Sequence, residues 1–211
     1  MLFCAELLFQ WLPSASLIAA GLVQDSVVAP FVWLGLEHIW TGYDHLLFLL
    51  ALLAVCASFR ASVRVISCFT LGHSLTLALA TLDWVNLPAR LAEPLIAASI
   101  VYVGVENLLR RGAEPRGRGA LTFGFGLIHG FGFASVLREL GVGVNGSGLS
   151  LPLFSFNLGV ELGQIAIAAV VLPLLWQLRK WEWFLRRGVP AISALVALAG
   201  LYWLVARTLL A

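Results

Sequence analysis

The sequence predicts an all-α fold, a polytopic transmembrane bundle of about seven helices, and three observations predict it. Of its 211 residues 61% are hydrophobic and only 11% charged, where soluble domains carry roughly a quarter charged. Seven apolar runs approach the roughly 20 residues needed to cross a bilayer. The breaks between them are short and carry the charges, prolines and glycines. No soluble domain fits between the runs, so residues 1–211 read as a single bundle.

The runs fall at 2–23, 31–57, 65–82, 93–109, 119–138, 152–178 and 188–206. The first lacks the basic start and clear cleavage site of a signal peptide and is expected to be a retained helix; its removal would leave six. The second, with "LEHIWTGYDHLLFLLALLAV", and the third, with "FTLGHSLTLALA", are apolar apart from a few titratable or hydroxyl groups. The fourth ends in "VENLLRR", the fifth holds the glycine-rich "FGFGLIHGFGF", the sixth contains "FNLGVELGQIA", and the seventh is almost wholly aliphatic and aromatic. "FTLGHSLT" and "FGLIHGFG" share little beyond a Gly and a His, so no internal repeat is expected.

Basic residues set an orientation. Arg60, Arg64, Arg110, Arg111, Arg116, Arg118, Arg179, Lys180, Arg186 and Arg187 fall in alternate breaks, while Arg90, Arg138 and Arg207 lie opposite. The positive-inside rule then puts the N-terminus inside and the C-terminus outside, with Trp84, Trp181 and Trp183 at the interfaces. The net charge of +2 is small and dispersed, so a nucleic-acid partner is not expected. Cys4, Cys56 and Cys68 are odd in number and form no CxxC pair, which indicates neither a disulfide framework nor a zinc ribbon.

All four histidines, His38, His45, His73 and His129, fall inside predicted spans, accompanied by Glu37, Asp44, Glu106 and Glu161. Ionisable groups at bilayer depth cost several kcal/mol each unless paired, hydrated or liganded. A lone membrane histidine most simply hydrogen-bonds a neighbouring helix, but so many together invite one shared explanation. His38 and His45, seven apart, would share a helix face with Thr41 between them. Asn157, Glu161 and Gln164 form a polar stripe on the sixth run. Imidazole with carboxylate suits a divalent transition metal such as nickel or zinc. The expected ligands are His38, His45, His73, His129 and Glu161, oriented through Asp44, Asn157, Thr41, Ser74 and Glu37. Glu106, one turn before Arg110 and Arg111, reads instead as an interfacial ion pair.

"HIWTGYDHLLFLLALL", "FTLGHSLTLALA", "VYVGVENLLRR", "FGFGLIHGFGFA" and "FNLGVELGQIA", in that order across residues 31–178, resemble the HupE/UreJ family of bacterial membrane proteins. The resemblance implies a multi-pass protein of the bacterial inner membrane that handles nickel for hydrogenase- or urease-type acceptors, with His38, Asp44 and His45 as its H-x5-DH metal signature. Better-studied members carry a second motif, FHGxAHGxE, with two histidines and a Glu; here "LIHGFGFA" offers His129 alone, as in the broader branch of the family.

Two functions follow. In a permease, bound by membrane lipid on its outer faces, the histidines and Glu161 would form a metal relay. In an intramembrane zinc-type hydrolase or transferase acting on lipid or peptide, three histidines would leave a position for water, with Glu161 or Asp44 as catalytic base. A retinal-type photoreceptor is excluded, because the only lysine, Lys180, lies in a break and cannot form the buried Schiff base.

Overall fold

The computed structural model describes residues 27–56, 58–110, 117–139 and 150–209, and these are helical with no strands. The first predicted run at 2–23 and the segments 111–116 and 140–149 lie outside the described residues. The helices are α1 Val28–Thr41, α2 Tyr43–Leu53, α3 Phe59–Thr81, α4 Ala89–Leu109, α5 Arg118–His129, α6 Ala134–Glu139, α7 Ser150–Leu178 and α8 Val189–Leu209. Among the described residues, four stretches are long and apolar enough to cross a membrane: Phe59–Thr81, Ala89–Leu109, Ser150–Leu178 and Phe184–Leu209.

Two expected spans are broken, and this corrects the boundaries 31–57 and 119–138. At Gly42 the backbone leaves the helical region (φ −78°, ψ 90°). Its amide still reaches His38 O at 3.0 Å and its carbonyl accepts from Leu46 N at 3.0 Å, so the chain turns without abandoning its hydrogen bonds. A Cβ here would come within 2.9 Å of His45 Nδ1 and 3.3 Å of Asp44 Oδ1, so glycine is what lets the turn fold against its own polar groups. The fifth run stops at His129, continues as a 3-10 turn over Gly130–Gly132, and resumes as α6. Glycine disfavours helix by about 1 kcal/mol per residue, and Gly130 is wedged against Thr76 and the His73 carbonyl.

The consequence is a pair of half-length helices. At 1.5 Å per residue, α1 with 14 residues and α5 with 12 span about 21 and 18 Å, short of a hydrocarbon core of roughly 30 Å. Each ends inside the bundle, and each carries a histidine in its last turn.

Three close helix pairs build the bundle: α1 on α7, α3 on α5 and α4 on α8. Lipid removes the hydrophobic drive between membrane helices, so contact rests on dispersion and on small residues that let backbones approach. Gly35 and Gly159 serve α1–α7, Gly72 and Gly126 serve α3–α5, and Gly104 and Gly200 serve α4–α8. Large apolar side chains such as Leu71, Val170 and Leu198 point outward, more than 60% exposed, as lipid contact requires.

The two ends of the bundle are fastened differently. At one, Arg118 donates to Glu106 (3.0 Å) and Asn107 (3.2 Å), Asn107 donates to the Ala51 carbonyl (2.7 Å), and Arg110 pairs with Glu106 at 3.1 Å. The expected Glu106–Arg110 pair is therefore present, with a buried Arg118 added. At the other end Arg207 donates to the Glu93 carbonyl at 3.2 Å and reaches Asp44. We call these the Arg118 end and the Arg207 end.

Candidate metal centre

His38 arrives on the last turn of α1, His45 on the first turn of α2 beyond the Gly42 break, and His73 in the middle of α3. One ring nitrogen from each lies within 4.8 Å of the others. The His38 and His45 rings meet edge to face with centroids 4.6 Å apart, and the His73 ring lies 6.0 Å from His38. Exposure is 9% or less for all three.

Hydrogen bonds fix which nitrogen each ring offers. Asp44 Oδ1 lies 3.0 Å from His45 Nδ1; a carboxylate only accepts, so Nδ1 carries the proton and Nε2 the lone pair. Asn157 donates through Nδ2 to the Leu153 carbonyl at 2.8 Å, which turns its Oδ1 toward His73 Nδ1 at 3.2 Å. His73 therefore also keeps its lone pair on Nε2. The Nε2 atoms of His38, His45 and His73 have no hydrogen-bond partner among the described residues. Buried polar atoms are ordinarily satisfied, and three adjoining histidines that each keep an unpartnered ring nitrogen offer the donors a metal ligand set requires. An ion about 2.1 Å from each nitrogen at tetrahedral angles sets them about 3.4 Å apart, so loading would draw together any pair that stands near the 4.8 Å limit.

His129 stands beside this triad, its ring 5.1 Å from that of His45. Ser99 donates to the Ile96 carbonyl at 2.7 Å, so its oxygen accepts from His129 Nε2 at 3.0 Å, leaving the lone pair on Nδ1. Nδ1 too has no partner among the described residues. Asp44 is held further by Arg207, 3.6 Å from Oδ2, and Arg207 also approaches Glu93 Oε2 at 3.7 Å.

Other expected site residues lie elsewhere. Glu161 accepts from Ser67 Oγ at 2.6 Å, about 6 Å along α7 from Asn157 by the helical rise. Beside it Thr70 donates to Gln164 Oε1 at 3.1 Å. Glu161 thus belongs to a polar contact on the Arg118 side of the triad; the even polar stripe of the sixth run concealed that its members face different partners. Thr41 is exposed and donates to the Glu37 carbonyl at 2.7 Å, because the break at Gly42 ends the face it was expected to share with both histidines. Ser74 donates back to the Thr70 carbonyl at 2.6 Å, and Glu37 is half-buried outside the triad. Ser99 and Arg207 carry no site signal in the sequence: a serine in an apolar helix looks like packing, and Arg207 stands just past the last apolar run.

A shallow cavity of about 580 Å³ bounded by Tyr102, Val105, Glu106 and Leu109 opens on the outer side of α4, away from the histidines. Neither the curated proteins nor the solved structures contain a significant match to the chain. A family model described as "HupE / UreJ protein" matches residues 15–207. Nearly the whole chain, including both broken helices and every histidine, is thereby accounted for by one family: this membrane protein belongs to the HupE/UreJ family.

Proposed function

We propose that the protein is a permease for a divalent, nickel-like transition-metal ion in a bacterial cytoplasmic membrane. The carrying observation is the convergence of His38, His45 and His73, each with a partnerless Nε2, where α1 stops inside the bundle. The family's association with nickel and cobalt transport supports the same reading. The ion is cargo: His38, His45 and His73 receive it, with His129 beside them to take over a ligand position as it moves. Glu161, one station further toward the Arg118 end, offers a hard anionic ligand on the way out. Nitrogen donors with no carboxylate in direct contact suit binding that must also release. In this reading the Arg118 end is cytoplasmic, and hydrogenase- or urease-type proteins are acceptors of the ion.

The hydrolase reading fares less well. A base must stand near the metal-bound water, yet Asp44 is engaged by His45 and Arg207 and Glu161 by Ser67.

The test is elemental analysis of the purified protein, followed by uptake of Ni²⁺, Co²⁺ and Zn²⁺ into proteoliposomes. Stoichiometric metal and saturable uptake, both lost in His45→Ala and His73→Ala, are expected. Bound metal without uptake of any of the three ions would overturn the transport reading.

A further inference from the structure

Two pairs of short segments match in letters. Gly35-Leu-Glu-His38, near the end of α1, matches Gly126-Leu-Ile-His129, which ends α5, and Phe69-Thr-Leu-Gly72 in α3 matches Phe156-Asn-Leu-Gly159 in α7. Four-letter matches carry little weight in so apolar a chain. Their contacts carry much more, because they are reciprocal.

A Cβ on Gly35 would strike the Phe156 carbonyl and lie 2.8 Å from Val160 N; on Gly126 it would strike the Phe69 carbonyl and lie 3.0 Å from His73 N. Phe156 and Phe69 open the matching segments, and Val160 and His73 each follow the segment's glycine. A Cβ on Gly159 would strike the Val32 carbonyl, and on Gly72 the Phe123 carbonyl; each of these stands three residues before the matching Gly35 or Gly126. The last pair obeys the same rule: Gly104 would meet Ala197 N at 2.8 Å and Gly200 would meet Val101 N at 3.0 Å. Each of those amides lies three residues before the opposite glycine. The short helix that opens each unit thus packs on the first long helix of the other, α1 on α7 and α5 on α3, and the last helices, α4 and α8, pack on each other. Since α1 runs inward from the Arg207 end and α5 from the Arg118 end, the relation is a two-fold axis lying across the bundle.

The surroundings of His38 and His129 are alike in kind, although Phe133 follows His129 by four residues and Phe48 follows His38 by ten. Phe156 lies 5.5 Å from the His38 ring and Phe69 lies 5.2 Å from the His129 ring. Phe133 covers His38 at 4.4 Å and stacks on Phe156 at 4.9 Å. Phe48 covers His129 at 5.1 Å and packs on Phe69 at 5.3 Å. Each covering ring comes from the segment just beyond a broken helix and lies over the histidine of the opposite unit. Phe133 belongs to the apolar cluster toward the Arg207 end, with Leu77 and Leu153, and Phe48 packs on the Arg118 side.

We infer that residues 28–109 and 118–209 are inverted repeats, and that Phe133 and Phe48 are paired gates on opposite sides of the histidine cage that open in alternation. Inverted repeats around a midplane site recur in transporters, where rocking of one unit against the other exchanges access. Here α3 and α7 cross at the axis through Ser67–Glu161 and His73–Asn157. Close-packed interiors resist compression, so a tilt about this crossing that parts one end tightens the other. The matched positions differ where the site needs asymmetry: His73 stands opposite Val160 in the repeat. What passes the gates rests on the transport reading; the gates themselves do not.

The test reads the gates without moving metal. Leu153 and Ile66 each stand three residues before a matching phenylalanine, on the Arg207 and Arg118 sides, and are 7% and 1% exposed. Leu153→Cys or Ile66→Cys is placed in a chain with Cys4, Cys56 and Cys68 changed to alanine, reconstituted in nanodiscs, and labelled with a hydrophilic maleimide. Phe133→Ala is expected to raise the labelling rate at position 153 several-fold and lower it at 66; Phe48→Ala is expected to do the reverse. Phe133→Leu and Phe48→Leu should move both rates in the same directions by less, and cover the case in which an alanine variant fails to fold. A change confined to one side, a rise at both, or no change at either would overturn the inference. Coupled labelling without metal uptake would leave the gates standing and remove the cargo; uptake with uncoupled labelling would do the opposite.

Discussion

Asp44 and His45 are neighbours in sequence that also bond through their side chains: Asp44 Oδ1 lies 3.0 Å from His45 Nδ1 and accepts the His45 backbone N–H at the same distance. Carboxylates placed behind metal-binding histidines fix the tautomer and raise ligand basicity, and their loss typically costs 10–100-fold in affinity. Asp44→Asn is expected to weaken binding of Zn²⁺ or Ni²⁺ by about that factor, measured by isothermal titration, while His45 stays in place.

Glu161 and His73 should part company in the same assay. His73→Ala removes one of the three converging nitrogens and is expected to abolish stoichiometric metal. Glu161→Gln keeps a partner for Ser67 and is expected to leave equilibrium binding within about threefold while slowing uptake, because Glu161 lies outside the triad. Equal loss of binding in both variants would place Glu161 back among the ligands.

A metal must find imidazole lone pairs that protons also seek. Acidification is expected to weaken metal binding in the wild type, because a protonated ring must lose its proton before it can ligate. Loading at neutral pH, where Nε2 already holds a lone pair, is expected to release few protons and loading in acid more, a difference followed with a weakly buffered indicator dye.

Gly126→Ala would drive a methyl into the Phe69 carbonyl and to within 3.0 Å of His73 N. Overpacking against backbone costs about 1–3 kcal/mol, or about 2–10 °C in melting temperature for a chain of this size. Gly124→Ala, on the same helix with nothing within 4 Å of its Cβ, should leave the melting temperature unchanged.

Arg118 is 3% exposed and holds both Glu106 and Asn107. Removing one partner of a buried pair costs about 3–5 kcal/mol when the other charge is left uncompensated, but Arg110 still pairs with Glu106 here. Arg118→Met should therefore lower thermal stability by less than that, chiefly through the lost bond to Asn107, and the double change Arg118→Met with Glu106→Gln should recover little of the loss.

The membrane character and the histidine depth were legible because a titratable group in an apolar run is costly and therefore conspicuous. The breaks were signalled by Gly42, Gly130 and Gly132 but obscured by the unbroken hydropathy around them, which reads the same for one long helix as for two short ones. Glu161 showed its depth but not its bearing around the helix, which Ser67 on another helix decides. The partner of His129 is Ser99, an uncharged residue that nothing in its own segment distinguishes from a packing serine. The reciprocal packing is hard to read from sequence for a different reason: its matched segments are four residues long, and "FTLGHSLT" packs on "FGLIHGFG" but matches the letters of "FNLGVELG".

The reach of Arg207 to Asp44 has a consequence for how the protein is made. The cage histidines His38, His45 and His73 are made before the guanidinium that faces their supporting carboxylate, which comes in the last described helix. Until that helix is made, Asp44 is without this counter-charge. Insertion of α8 is therefore the step that completes the site, and a chain stalled before it would hold the three histidines yet lack the cation that steadies them.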